Sequence, residues 1–239
     1  MRTTDTAGLR TGTALPPRNS LRVRTSIALL ERRLSRAAGR IWSAPDLRRV
    51  YPEYLVMLHS MVRASVPLMA DALARAELTA GTDPVHARLV DYFRHHIVEE
   101  SGHDEWILED LEALGVPRAR ALEQLPRHAV AELVGAQYYY IRHYDPVCLL
   151  GYIATIEGYP PGEDLARDCA ARSGYPLEGF RTVRKHANLD PFHKSALDDF
   201  LDSLPLTGRQ LVAVNSSAIR TMAAVIEVLD ELAPPARKA

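Results

Sequence analysis

The sequence contains very little cysteine and no membrane-length apolar run. Only two of its 239 residues are cysteines, Cys148 and Cys169. They form neither a CxxC motif nor the paired framework of small secreted domains. No apolar run approaches the ~18 residues that a membrane span needs. We therefore expect no membrane association, and the low cysteine content favours the reducing cytoplasm.

The sequence also lacks an excess of charge and lacks strand signals. The 29 Lys and Arg residues nearly balance the 30 Asp and Glu residues, so the basic excess typical of nucleic-acid-binding proteins is missing. Alternating β-branched runs are few, and there are no Asn-Gly or Asp-Gly hairpin turns. A chain of this length suits one domain, and these absences favour an all-α domain.

Helix start and stop signals run through most of the chain. They predict helices over about 22–38, 45–78, 83–114, 128–143, 146–157, 163–172, 177–189, from 190 onward and over 207–232. Pro67 is expected to kink the second of these, and Pro191 disfavours a helical ψ at Asp190. We predict an all-α bundle of seven or more helices in one domain, 21–233, after a mobile N-terminal tail, 1–20.

The segment HANLDPFH (186–193) is the first candidate metal-binding element. A helix turns about 100° per residue, so His186, Asp190 and His193 lie within about 60° of arc on one side. Two neutral imidazoles and a carboxylate on one rigid element are suitable ligands for a divalent metal. The alternative is a solvated helical face.

Two further segments carry candidate ligands. Glu100 and His103 form a Glu-x-x-His pair on one predicted face, with His96 a heptad before His103 and Trp106 placed to wall off the site. Glu157 ends an almost wholly apolar helix, where an unpaired buried carboxylate is costly. It is therefore protonated, paired with an arginine or bound to metal, unless the helix end is exposed.

Together these helices supply three histidines and three carboxylates, a mixture of nitrogen and oxygen ligands that suits iron or manganese. Two metals bridged by carboxylates fit this number of ligands better than one. The predicted ligands are Glu100, His103, Glu157, His186, Asp190 and His193.

The motifs HIVEESGHDEWILEDLEALG, LLGYIATIEGYPP and HANLDPFH, in this order, resemble those of the haem-oxygenase-like di-iron oxidases and oxygenases. The resemblance runs from about Tyr51 to about Leu204. It implies the seven-helix scaffold shared with haem oxygenase, TenA-type thiaminases and the pyrroloquinoline quinone synthase. It also implies two Fe(II) ions, with manganese as an alternative, O2 as cosubstrate, and the six residues above as ligands.

The resemblance further implies the oxidation of a small amine or amino-acid-like metabolite in a natural-product pathway. N-oxygenation and oxidative C–C fragmentation remain equal alternatives, and a fatty acid is a less favoured substrate. An external electron donor and a homodimer are further partners that the resemblance allows. Members of the family usually draw one more carboxylate ligand from the preceding helix, and here His59, Asp71 and His96 stay open as candidates.

Several roles have competing interpretations. Arg63 and Arg142 are candidates to clamp a substrate carboxylate, and Tyr152 is a candidate substrate contact; packing and solvated charge are the alternatives. Asp110 either orients a ligand histidine or forms a surface salt bridge. Asp190 either caps a new helix at Pro191 or belongs to a helix that orders when metal binds.

Two other classes of protein compete with the di-iron oxidase. One is a metal-independent thiaminase-like or quinone-synthase-like enzyme on the same scaffold, for which Cys148 is a candidate nucleophile. That interpretation leaves the three ligand histidines unexplained. The other is a non-catalytic metal-binding helical protein, which would bind metal without consuming O2.

Overall fold

The structure, a computed structural model, describes residues 18–233, and every regular element within them is helical. This confirms the predicted all-α class. Residues 1–17 of the predicted tail lie outside the described residues, and Asn19 and Ser20 already belong to the first helix. The α-helices are α1 (Asn19–Ala28), α2 (Glu31–Trp42), α3 (Leu47–Val62), α4 (Ser65–Glu77), α5 (Pro84–Glu100), α6 (His103–Ala113), α7 (Arg118–Glu123), α8 (His128–His143), α9 (Leu149–Ile156), α10 (Leu165–Ser173), α11 (Arg181–Ser203) and α12 (Gly208–Leu232), and short 3-10 helices cover Pro146–Cys148 and Leu177–Phe180.

Three predicted helices are divided in the structure. The segment 22–38 breaks at Leu29 and Leu30, and the segment 45–78 breaks at Arg63 and Ala64. Pro67 therefore causes no kink within a helix, because it lies in the first turn of α4, where a missing N–H is tolerated. The segment 83–114 breaks at Gly102, whose φ of 89° is incompatible with a right-handed helix.

Helix α11 is continuous where the sequence predicted a boundary. It runs from Arg181 to Ser203 with Pro191 in its interior, so Asp190 is not the N-cap of a new helix. A proline removes one backbone hydrogen bond, and packing against α1 and α6 holds the helix on either side of it.

Helix α12 is the central element of the bundle and packs against α1, α2, α8 and α9. Its start is fixed by a capping box in which Thr207 and Gln210 each bond the other's backbone N–H. Among the described residues it is the only helix long and apolar enough to cross a membrane, and 56% of its apolar window is buried. Such burial is what the core helix of a globular domain shows.

The core consists of two hydrophobic clusters. The larger surrounds α12 and includes apolar side chains of α4, α5, α8 and α9. The smaller joins α3, α6 and α10 and contains Tyr51, whose ring stacks on Phe180 at 4.2 Å between centroids. The predicted ligands come from helices of both clusters, so the candidate site lies where the two clusters meet.

Helices α9 and α12 approach each other unusually closely at Gly151. A Cβ on this residue would lie 2.2 Å from the carbonyl oxygen of Val214 and 2.7 Å from the amide nitrogen of Ala218. Both are backbone atoms, which cannot move aside without shifting a helix. The absence of a side chain at Gly151 therefore sets the position of α9, which ends at Glu157.

We expect Gly151→Ala to destabilise the protein by about 1–3 kcal/mol, because it overpacks this contact. Thermal unfolding would show this as a lower Tm, at roughly 2–4 °C per kcal/mol for a domain of this size. Gly135→Ala is the matched control, since Gly135 is exposed within α8 with nothing within 4 Å of an added Cβ. It should raise stability by about 0.5–1 kcal/mol. Equal effects of both changes would contradict the close approach.

Candidate metal centre

Four helices bring the six predicted ligands to one place. Glu100 is the last residue of α5 and His103 the first of α6. Glu157 is the C-cap of α9, and α11 carries the remaining three, His186, Asp190 and His193. Four of the six (Glu100, Glu157, His186 and Asp190) line one small cavity of about 50 Å³.

A tight turn, not a continuous helix, brings Glu100 and His103 together. The turn is Ser101-Gly102, and the positive φ of Gly102 is strained for any other residue. Across it, Nδ1 of His103 lies 3.1 Å from Oε2 of Glu100. The Glu-x-x-His spacing thus places the two side chains together although the helix is broken between them.

Glu100 lies between the histidines of α6 and α11. Its Oε1 is 3.8 Å from Nδ1 of His193, and the rings of His103 and His186 are 5.3 Å apart between centroids. Burial disfavours the charged form of Glu100, but the nearby imidazoles of His103, His96 and His186 outweigh it and lower its pKa. The Glu100 carboxylate is therefore ionised beside the imidazoles.

Three residues were candidates for a further ligand from the sequence, and His96 is the one that lies in the cluster. Its Nε2 is 2.9 Å from Oε1 of Glu157, and ligand atoms of His96, Glu100 and Glu157 lie within 4.8 Å of one another. His59 is buried but lines neither cavity of the site, and Asp71 forms an ion pair with Arg142 at 2.8 Å.

The environment of His96 favours its charged form. Burial lowers its pKa, but the hydrogen bond and charge of Glu157, the charge of Glu100 and a hydrogen bond to Glu99 outweigh this and raise the pKa to about 9. Both ring nitrogens face carboxylate oxygens, so the imidazolium offsets part of the negative charge of the cluster. In the sequence, only the seven-residue spacing between His96 and His103 pointed to a place for His96 in the site.

Two carboxylate oxygens in the cluster have no hydrogen-bond partner. They are the buried Oε2 of Glu157 and the buried Oδ1 of Asp190. Folded proteins rarely leave such atoms unpaired, and each costs about 1–3 kcal/mol. Burial, followed by the charges of Glu157 and Glu100, raises the pKa of Asp190 to about 8. Carboxylate oxygens without partners, together with neighbouring imidazoles, form a set of metal ligands that fits divalent cations.

The orientation of His186 is fixed by hydrogen bonds at the start of α11. Its Nδ1–H donates to the carbonyl oxygen of Thr182 at 2.9 Å, which leaves Nε2 with its lone pair free for a ligand role. The carboxylate of Asp110 is fully buried and accepts the backbone N–H groups of Arg181 and Thr182 at 3.0 and 2.9 Å. Asp110 therefore holds the first turn of α11, and it neither bonds a ligand histidine nor forms a surface salt bridge.

Trp106 covers the cluster on the α6 side. Its ring centroid lies 4.0 Å from that of His103 and 6.1 Å from that of His186. The ammonium of Lys185 lies 3.5 Å from its ring centroid. The indole thus separates the imidazoles from a surface lysine, as expected from its spacing to His103.

A second, larger cavity of about 440 Å³ adjoins the small one. The two share lining residues on α3, α9 and α11, namely Val62, Ile156, His186 and Asp190. Tyr152 lines the small cavity, whereas Arg63 is exposed at the end of α3 and reaches neither. Cys148 is buried outside both, and burial raises the pKa of its thiol to about 12.

Known structures share the fold of this chain. One is a domain of unknown function with a haem oxygenase-like fold from Shewanella denitrificans (TM-score 0.75, 17% identity, covering 89% of this chain and 90% of that one). Another is a TenA homologue from Pseudomonas syringae pv. tomato (TM-score 0.66, 12% identity, covering 97% and 99%). No protein-family model and no curated protein matches the chain. The chain therefore has a haem oxygenase-like fold.

We expect Asp110→Asn to weaken metal binding about tenfold, because an amide offers one acceptor oxygen where the carboxylate offers two, so the turn that orients His186 loosens. Binding of Co(II) to the metal-free protein, followed by titration calorimetry, measures this effect. Asp199→Asn, an exposed change on the same helix, is the control and should bind normally. Unchanged affinity in Asp110→Asn would contradict the role given to Asp110.

The metal-free protein should become more stable when Asp190 is replaced by Asn. The change removes a carboxyl group that ionises freely in the unfolded chain but is disfavoured as an ion in the fold, first by burial and then by the charges of Glu157 and Glu100. We expect a gain of about 1–3 kcal/mol in EDTA, seen as a higher Tm. The same variant should lose most of the rise in Tm that Co(II) or Fe(II) gives the wild-type protein. A variant that is less stable in EDTA but keeps the metal response would refute this interpretation.

Proposed function

We propose that the cluster binds two Fe(II) ions, with Mn(II) as an alternative, and that the protein is an O2-dependent oxidoreductase acting on a small metabolite. One observation carries the proposal. Three carboxylates and four imidazoles from four helices lie close together in a largely buried cluster, and an oxygen of Glu157 and one of Asp190 lack partners. A purely structural core rarely retains carboxylate oxygens without partners.

The proposed ligands are Glu100, His103, Glu157, His186, Asp190 and His193, and His96 either joins them or holds Glu157. Iron bound here would supply the one-electron chemistry with O2 that no side chain provides alone. The protein's own contribution is orientation and exclusion of water. Thr182 keeps the proton of His186 on Nδ1, and Trp106 shields His103.

The substrate belongs to the proposal as well. We propose a small amine or amino-acid-like metabolite that is either oxygenated at nitrogen or fragmented at a C–C bond, with an external electron donor where the reaction needs one. The resemblance of the motifs supports this choice. The two adjoining cavities support a small molecule over a polymer.

A metal-independent, thiaminase-like enzyme is the second candidate, and similarity to the TenA homologue favours it. Cys148, its candidate nucleophile, argues against it. The thiol is buried away from both cavities, and its raised pKa leaves almost no thiolate at neutral pH. This candidate also leaves the cluster of imidazoles and carboxylates without a role.

Metal content distinguishes the candidates. We expect the metal-free protein, reconstituted anaerobically, to bind two Fe(II) ions per chain and to give a transient visible absorption band when O2 is added. Iron that binds without any O2-dependent change would favour a non-catalytic metal-binding protein. A protein that binds no iron would refute the proposal.

Substitutions should distinguish metal ligands from residues that do not bind metal. His103→Ala and His186→Ala should each lose iron, because each removes a buried donor from the cluster. His95→Ala and Cys148→Ala should keep it, since His95 is exposed on the same helix as Glu100 and Cys148 lies outside the cavities. If Cys148→Ala abolishes activity while both histidine variants retain it, the thiaminase-like candidate is correct.

A further inference from the structure

The larger cavity has a mostly apolar wall. It lies between α2, α3, α11 and α12, beneath the loop that follows α9. Its wall includes Trp42, Met57, Met61, Met222, Val225 and Leu229. Its volume of about 440 Å³ falls within the range of about 300–1,000 Å³ seen for small-molecule sites.

Outside the candidate metal centre, the polar side chains of this wall are hydroxyls, those of Ser35, Tyr54, Thr155 and Tyr159. The remaining polar part of the wall belongs to the metal centre. His186 and Asp190 line both cavities, and Thr182, which fixes His186, also lines the larger one. A molecule in the larger cavity therefore contacts the metal centre from the α11 side. The cavity also reaches the exposed loop at Gly162, so it extends from the surface toward buried Met222.

Charged recognition groups are missing from this wall. Among residues 18–233, no lysine or arginine lines either cavity, and Asp190 is the only carboxylate on the wall of the larger one. Arg142, once a candidate carboxylate clamp, pairs with Asp71 instead. A free amino acid would therefore find no lysine or arginine there to pair with its carboxylate.

We infer that the larger cavity binds a largely apolar substrate whose one polar, reacting group lies at Thr182, His186 and Asp190. The inference rests on the proposed function, because only a reactive centre makes this occupant a substrate. At the packing density of protein interiors, the volume accommodates a molecule of roughly 330 Å³. This narrows the substrate from amino-acid-like metabolites to molecules with one polar end and an apolar body.

The two tryptophans allow each cavity to be observed separately. Trp42 lines the larger cavity and Trp106 lies at the metal centre, and the chain contains no other tryptophan. In Trp106→Phe, fluorescence reports occupancy of the larger cavity through Trp42. In Trp42→Phe, quenching by added Co(II) reports metal binding through Trp106.

The first experiment titrates the metal-free Trp106→Phe protein with hexanol, octanol and decanol, and with free lysine as a polar probe. Each pair of added methylenes should tighten binding about tenfold, because each buried CH2 contributes about 0.8 kcal/mol. Lysine should not bind at the same concentrations. Affinities that do not depend on chain length would overturn the inference.

Two substitutions locate the probe. Ala38→Phe on α2 and Val225→Phe on α12 both fill the larger cavity from different helices. Each should weaken decanol binding at least tenfold and leave Co(II) binding unchanged within twofold. Ala131→Phe, on the exposed face of α8, is the matched control and should change neither. If neither filled variant that folds weakens decanol binding, the probe lies elsewhere and the inference fails.

A final measurement tests the contact with the metal centre. Decanol should shift the visible spectrum of the Co(II)-loaded protein, and Ala38→Phe should abolish this shift. If the alcohols bind in the predicted order of chain length but Co(II) does not bind, the proposed function is refuted and the assignment of an apolar binding cavity is retained. A protein that binds Co(II) but shows no spectral change with saturating decanol overturns the assignment of the substrate position.

Discussion

The desolvation of three neighbouring carboxyl groups is the constraint on which the rest of this site depends. Glu100, Glu157 and Asp190 lie together in the interior, and among residues 18–233 no lysine or arginine forms an ion pair with any of them. Imidazoles alone offset their charge, and burial, followed by the charges of Glu157 and Glu100, raises the pKa of Asp190. Such an arrangement is unfavourable in the metal-free protein and becomes favourable when cations occupy it.

The scaffold tolerates this cost because the helices that carry the donors are held from outside the cluster. Asp110 caps the start of α11, and the hydroxyl of Tyr51 donates to the carbonyl of Gly179 at 2.9 Å just before it. On the other side, the close contact at Gly151 fixes α9 against α12. Two hydrophobic clusters thus position the donor atoms before any metal binds, as a preorganised site requires.

The parts of the structure that were predictable from sequence are those with local causes. The bounds of helices α8 and α12 were predicted within one residue, because caps, glycines and prolines act on neighbouring backbone. The break at Leu29 and Leu30 was missed, since neither residue interrupts a helix by itself. The continuity of α11 through Pro191 was also missed, because tertiary packing outweighs the loss of one hydrogen bond.

In the candidate site, too, only the features with local causes were predictable. Six potential ligands could be proposed from residue type and spacing alone, without knowledge of the fold. The place of His96 beside Glu157 required the approach of α5 to α9, and the exposure of Arg63 required the break between α3 and α4. The shape of the larger cavity depends on five separate segments, so no pattern along the chain could indicate it.

Helix α11 supplies both candidate metal ligands and part of the wall of the larger cavity. A metal bound by His186 and Asp190, as proposed, would therefore also complete the surface against which an apolar molecule packs. Since coupling between two ligands is reciprocal, an occupant that orders this wall would then strengthen metal binding by the same factor.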